Sequence, residues 1–253
     1  MYKIGNDHKI KAWLDLSTYC NAACPQCHRT SVHSGDKEDW LPLIQWSFEQ
    51  FTKAYPPHLL RMHHSFTLCG TWGDPFMNKD IFEIVNYIRT YSPKSYIDCN
   101  TNGSLRNPEW WWDFGVMGGD KLNVWWDVDG INQEMQSRYR QKTELAVILE
   151  NLEAYAATEA KASVHTIVFK HNQDYLQEIE DMVRELGVTG QVLFERSNRF
   201  YSGSTFNFTN HEGNAVTLEE ADQEDNSKIN GTNPIRDHHW RKKNKVSKNA
   251  LHN

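Results

Sequence analysis

Residues 12–27 read Ala-Trp-Leu-Asp-Leu-Ser-Thr-Tyr-Cys-Asn-Ala-Ala-Cys-Pro-Gln-Cys. A mostly apolar run, Ala12 to Ser17, is followed at once by three thiols, Cys20, Cys24 and Cys27, spaced x3 and x2. A short run of this kind suits a strand covered on both faces. Thiols placed directly after it fall at the C-terminal end of that strand, where parallel α/β proteins assemble their sites.

The same unit recurs outward from this stretch. Strands are predicted at Ala12 to Ser17, Ser65 to Cys69, Ser95 to Asn100, Leu122 to Asp127, Ser163 to Phe169 and Gln191 to Arg196. Between them, apolar residues at three- and four-residue spacing predict helices at Leu43 to Ala54, Lys79 to Thr90, Pro108 to Phe114, Thr143 to Ala157 and Tyr175 to Leu186. Ile81, Ile84, Val85 and Ile88 show the spacing clearly, and Gly187 stands where a helix cap belongs. Six βα units in 253 residues imply an α/β fold with a parallel sheet, one domain followed by a tail.

Hydrophobic residues make up 39%, and 10 Trp, 10 Tyr and 11 Phe supply large buried areas, which excludes a wholly disordered chain. A net charge of −6 exerts no global pull on nucleic acid. No run approaches the roughly 20 apolar residues of a membrane span, and the first residues carry no secretory stretch. The expectation is a cytoplasmic protein without membrane attachment, whose Asn-x-Ser/Thr triplets at Asn102, Asn207 and Asn230 are chance matches. In a reducing compartment its five cysteines need an account other than disulfides. After Phe200 the pattern gives way to Ser, Asn, Thr and Gly, then to an acidic cluster (Glu219, Glu220, Asp222, Glu224, Asp225) and a basic end (Arg236, Arg241, Lys242, Lys243, Lys245, Lys248). So little apolar surface predicts a loosely ordered extension over 201–253.

Clustered thiols in a reducing cell usually hold metal. Three thiolates cannot close a tetrahedral zinc site, but they can hold three irons of a [4Fe–4S] cluster and leave the fourth open. The alternative is that His28 completes a Cys3His zinc site. Cys69 and Cys99 fall at strand ends and read as core packing. His63-His64 and His238-His239 lack a third ligand and are assigned no metal.

Cys20-x3-Cys24-x2-Cys27 after a strand, in a chain of six βα units, resembles the radical S-adenosylmethionine (SAM) superfamily from about Ala12 to Phe200. The resemblance implies a partial (β/α)6 TIM-type barrel, with 1–200 as the core domain. It implies a [4Fe–4S] cluster on Cys20, Cys24 and Cys27 whose open iron chelates SAM, then cleaves it reductively to a 5′-deoxyadenosyl radical that abstracts hydrogen from a substrate. Gln26 stands where the family usually has an aromatic residue.

Further motifs carry the resemblance. Gly70-Thr71-Trp72-Gly73-Asp74-Pro75 is similar to the family's Gly-Gly-Glu-Pro, which binds the SAM amino group, so Gly70, Gly73 and Asp74 are candidate contacts. Asn100-Thr101-Asn102-Gly103 is similar to its Thr-Asn-Gly turn and adds Thr101 and Asn102. Trp126-Asp127-Val128-Asp129-Gly130 resembles its Ser-Leu-Asp-Gly, with Asp127 in place of the serine that meets the SAM ribose. Arg140 stands near the arginine that pairs with the SAM carboxylate, with Arg138 an equal competitor.

The chain looks closest to the branch carrying a SPASM or twitch extension. No cysteine follows Cys99, so it corresponds to the core without the auxiliary-cluster domain. The resemblance implies a one-electron donor such as flavodoxin or ferredoxin, and a peptide or protein substrate ahead of tRNA or another nucleotide. Two other readings remain open: a zinc-stabilised nucleic-acid-binding module, and a degenerate radical SAM fold that does not cleave SAM.

Overall fold

A computed structural model describes residues 10–201, 203–222 and 229 of the 253-residue chain. Six strands, β1 (Ile10–Leu14), β2 (His63–Leu68), β3 (Tyr96–Thr101), β4 (Leu122–Asp127), β5 (Lys161–Val168) and β6 (Val192–Arg196), form one sheet in sequence order. Every neighbouring pair is parallel. Seven α-helices fall between the strands: α1 (Phe48–Ala54), α2 (Pro57–Leu60), α3 (Ile81–Tyr91), α4 (Pro108–Gly118), α5 (Gln133–Ser137), α6 (Leu145–Ala156) and α7 (Leu176–Glu185). This is the partial TIM-type barrel that the sequence implies.

Alternation along the strands decides which face meets the helices. On β4, Leu122, Val124 and Trp126 are fully buried, while Asn123, Trp125 and Asp127 are not. Trp126 packs with Trp111 of α4 and Tyr155 of α6, at centroid distances of 4.5 and 5.8 Å. Ile81, Ile84, Val85 and Ile88 of α3 are buried in the same core as Phe66, Leu68 and Ile97 of the sheet. The opposite side chains of the strands stay free of the helix layer.

Three departures from the sequence reading have local causes. The first helix begins at Phe48, not Leu43, because Ser47 and Gln50 form a capping box there. Residues ahead of it run extended beside the chain after β1, with Trp46 N donating to Leu16 O and Thr18 N to Ile44 O. The helix predicted to stop at Phe114 continues to Gly118, because Gly119, at φ 59°, is the residue that ends it.

The third departure concerns one part of the region read as loosely ordered. Thr205–Thr209 (β7) and Ala215–Glu219 (β8) form an antiparallel hairpin. Phe206 and Phe208 alternate with polar neighbours on β7, as Val216 and Leu218 do on β8. These four join an apolar cluster with Ala22, Cys24, Tyr139 and Phe169, so the hairpin finds its buried surface on the cysteine loop. Of the acidic cluster, Glu219, Glu220 and Asp222 are described, and Asp222 pairs with Lys170. Glu224, Asp225, the basic residues from Arg236 to Lys248 and His238-His239 lie outside the described residues.

Candidate functional site

The chain leaving β1 folds back under its own thiols. Cys27 N donates to Cys24 O and Thr30 N to Cys27 O, which winds the loop into successive turns. Arg29, buried beneath it, donates to the carbonyls of Thr18, Cys20 and Trp72. One guanidinium therefore ties the loop after β1 to the loop after β2. Ala23 N donates to Gln141 O, anchoring the other side. Arg29 and Gln141 carry no chemical role in the sequence reading, because their partners are backbone atoms that no residue pattern announces. A cavity of about 230 Å3 opens beside Cys20, edged by Tyr19, Arg29, Lys37 and Lys142.

Cys24 is buried, and Cys20 and Cys27 are half-buried against the same apolar cluster. Burial pushes the Cys20 thiol up to about 12, with Asp74 and Cys24 adding to the effect. Burial also pushes Cys24 up to about 12, against the pull of Arg140. Such thiols stay protonated unless a cation meets them, and a bound metal ion reverses that preference.

Two donors stand at 3.9 Å from these sulfurs: Asn102 Nδ2 beside Cys20 and Arg140 Nη1 beside Cys24. Gln26 is buried between the second and third cysteines, and its Nε2 has no hydrogen-bond partner among the described residues. Among the described residues no three His, Cys, Asp or Glu side chains converge on one ion. Three soft donors with nearby N–H groups suit a cluster that takes each thiolate at a separate iron.

Gly73 lets the loop after β2 approach. A Cβ there would stand 2.5 Å from the carbonyl oxygens of Ser17 and Tyr19. Only glycine leaves room for Asp74 N to donate to Tyr19 O at 2.8 Å. Gly70 faces the carbonyl of Gly73 at similarly close range. Asp74 is buried, and both its oxygens are committed. Oδ1 accepts from Phe76 N, while Oδ2 accepts from Thr101 Oγ1, Asn102 N and Asn102 Nδ2. Burial raises its carboxyl to about 6, and those hydrogen bonds hold it from rising further. Asp74, Thr101 and Asn102 thus form one unit joining the ends of β2 and β3, which Asn102 extends to Asn21 beside the first cysteine.

Asp127 and Arg140 also meet, with Arg140 Nη1 2.9 Å from Asp127 Oδ2. Arg140 Nε lies 2.6 Å from Asp129 Oδ2, and Asp129 is fully buried. Burial works against the guanidinium charge, but Asp127 and Asp129 outweigh it and hold Arg140 protonated. Gln136 completes the turn by accepting from Asp129 N and donating to Asp127 O. Asp129 and Gln136 were not singled out in the sequence, although Asp127-x-Asp129 was visible. Arg138, the other candidate, is exposed.

The remaining candidates stand apart. Cys99 is fully buried in the main core, and Cys69 is half-buried at 3.5 Å from Thr71 Oγ1. His63 contacts the Leu59 carbonyl, and His64 packs on Tyr96. Among the described residues no helix is long and apolar enough to cross a membrane.

No family model matches the sequence, and no curated protein matches it. Solved structures do. A structure of anSMEcpe with bound AdoMet is similar at a TM-score of 0.57 and 14% identity, over 75% of this chain and 51% of that one. Streptococcus suis SuiB bound to S-adenosylmethionine is similar at 0.58 and 11%, over 77% and 42%. SuiB bound to the precursor peptide SuiA is similar at 0.57 and 12%, over 74% and 39%. The chain therefore spans about half or less of the length of these structures, and the likeness is one of fold.

Proposed function

We propose, from the radical SAM fold that this chain has, that it is an enzyme which binds a [4Fe–4S] cluster and cleaves SAM to generate a radical that abstracts hydrogen from a substrate. The observation that carries the reading is the placement of Cys20, Cys24 and Cys27 in one apolar cluster, with Asn102 and Arg140 each 3.9 Å from a sulfur. On these thiols the cluster would supply the electron that splits the SAM sulfonium into methionine and a 5′-deoxyadenosyl radical.

The chain's own residues bind and orient. Gly70 and Gly73 let backbone approach the SAM amino group, and Asp74 acts through the Thr101 and Asn102 groups that it holds. Arg140, fixed by two carboxylates, turns its remaining N–H toward the SAM carboxylate, and Asp127 meets the ribose hydroxyls. Core residues 1–200 carry this machinery, while the β7–β8 hairpin of the 201–253 extension covers the cysteines and excludes water. The reading places the chain in the cytoplasm with flavodoxin or ferredoxin as electron donor. A peptide or protein substrate is supported by the SuiB structure that holds its precursor peptide.

Anaerobic reconstitution tests this. The protein should take up about four irons and four sulfides, and should release 5′-deoxyadenosine when given dithionite and SAM. Cys24→Ala should lose both. Zinc without iron would overturn the reading.

A further inference from the structure

A row of charged side chains crosses the sheet beyond Asp127 and has no part in the assignments above. Asp127 ends β4, His165 pairs with it in register on β5, and Glu195 lies on β6. All three alternate with core residues: Trp126 precedes Asp127, Val164 precedes His165 and Phe194 precedes Glu195. They therefore share the face turned away from the helices. His165 Nε2 lies 3.0 Å from Glu195 Oε2, and His165 Nδ1 lies 3.8 Å from Asp127 Oδ1.

The two oxygens of Asp127 are not equivalent. Oδ2 is taken by Arg140 at 2.9 Å. Oδ1 faces His165 at a separation too long for a formed hydrogen bond, so it keeps its acceptor capacity while a cation stands beside it. The Asp127 side chain is 21% exposed, so the group is not sealed from outside. Burial would discharge His165, but Asp127 and Glu195 outweigh it and raise the imidazole to about 9. A neutral imidazole carries an N–H on one nitrogen, whereas the cation carries one on both, so Nε2 can bond Glu195 while a positive Nδ1 faces Asp127 Oδ1.

We propose that His165, seated between Asp127 and Glu195, is a positioning residue that keeps Asp127 Oδ1 aimed at, and open to, the vicinal hydroxyls of a bound nucleoside. Glu195 orients His165 in turn. The inference rests on the reading that this site binds SAM. The charged groups around His165 are Asp127 from β4 and Glu195 from β6, with Arg140 behind Asp127 and Asp129 behind Arg140.

Calorimetric titration of the cluster-loaded protein with SAM, and with its 2′,3′-dideoxyribose analogue, tests it. His165→Ala should weaken SAM binding about tenfold, the scale of one contact to a charged group. His165→Gln should recover part of that loss, because its amide can still donate. For the dideoxy analogue, which has no hydroxyls to donate to Asp127, His165→Ala and the unmodified protein should bind alike. SAM affinity of the unmodified protein should fall as pH rises through about 9, and that of His165→Gln should not. If His165→Ala fails to fold, the Gln variant and the pH profile decide. SAM binding within twofold of normal in His165→Ala, or an equal loss for both ligands, overturns the inference and leaves the proposed function standing. An unmodified protein that binds no SAM overturns that function and the inference with it.

Discussion

Asp129→Asn is the substitution that the network around Arg140 should tolerate least. Asp129 is fully buried, its Oδ2 lies 2.6 Å from Arg140 Nε, and its Oδ1 accepts from Ile167 N at 2.7 Å. Asparagine keeps the volume and can still accept from Ile167, but it then turns an amide N–H toward the guanidinium N–H. Removing one partner of a buried pair costs about 3–5 kcal/mol, because the other charge is left uncompensated. Asp127 makes the second contact with Arg140 from a side chain 21% exposed, where water replaces part of what is lost, so Asp127→Asn should cost about 1 kcal/mol. For a domain of this size each kcal/mol lowers Tm by about 2–4 °C, which separates the two variants by about 4 °C or more. Urea unfolding of both variants and the unmodified protein, in one cofactor state under reducing conditions, measures the difference at equal m-value. If Asp129→Asn costs no more than Asp127→Asn, burial does not set the strength of this pair and the reasoning fails.

Gly73→Ala drives a Cβ to 2.5 Å from two carbonyl oxygens, which backbone can relieve only by moving. It should cost about 1–3 kcal/mol, and an unchanged Tm would show that the loop is not pinned against Tyr19. Phe208→Ala empties a ring site in the cluster that contains Cys24, at a cost of about 3–5 kcal/mol to the hairpin. It should speed alkylation of Cys24 in the cluster-free protein at least tenfold, and an unaltered rate would mean that the hairpin is not the cover. His165 is raised from its ordinary 6.5 to about 9, so the native state holds a proton that the unfolded chain releases earlier. The stability it contributes should be complete below about 6.5 and lost as pH rises through about 9; His165→Gln should flatten that part of a Tm-against-pH curve.

Leu122 to Asp127 was bounded correctly, although only one face of the strand is buried: Leu122, Val124 and Trp126 sit on the core and alternate with less buried neighbours, where the apolar run suggested cover on both faces. The start of α1 was not, because Leu43 to Trp46 has helical spacing yet satisfies its backbone groups by pairing with Leu16 to Thr18, a partner distant in sequence. The hairpin was missed for an energetic reason. Taken alone, Phe206, Phe208, Val216 and Leu218 bury too little to offset the entropy of ordering 15 residues from Thr205 to Glu219. Set against Cys24, Tyr139 and Phe169 they share a cluster whose other half lies far upstream in the chain.

The site divides along the same line. Its cysteines and its glycine and aspartate motifs are visible as letters, because their chemistry depends on residue type. What binds them into a site depends on the distances between strand ends. Asp74 looks like a free carboxylate in the sequence and proves to be saturated by four donors from Phe76, Thr101 and Asn102. Asp127, two residues from Asp129 in the same turn, is the acid that keeps an open oxygen. The difference comes from burial: a carboxylate closed off from water needs every acceptor filled from within the protein, whereas one at 21% exposure can hold an acceptor in reserve for a ligand. In this turn the more deeply buried acid is the scaffold and the more exposed one the proposed contact, a distinction that appears only once the fold sets their depths.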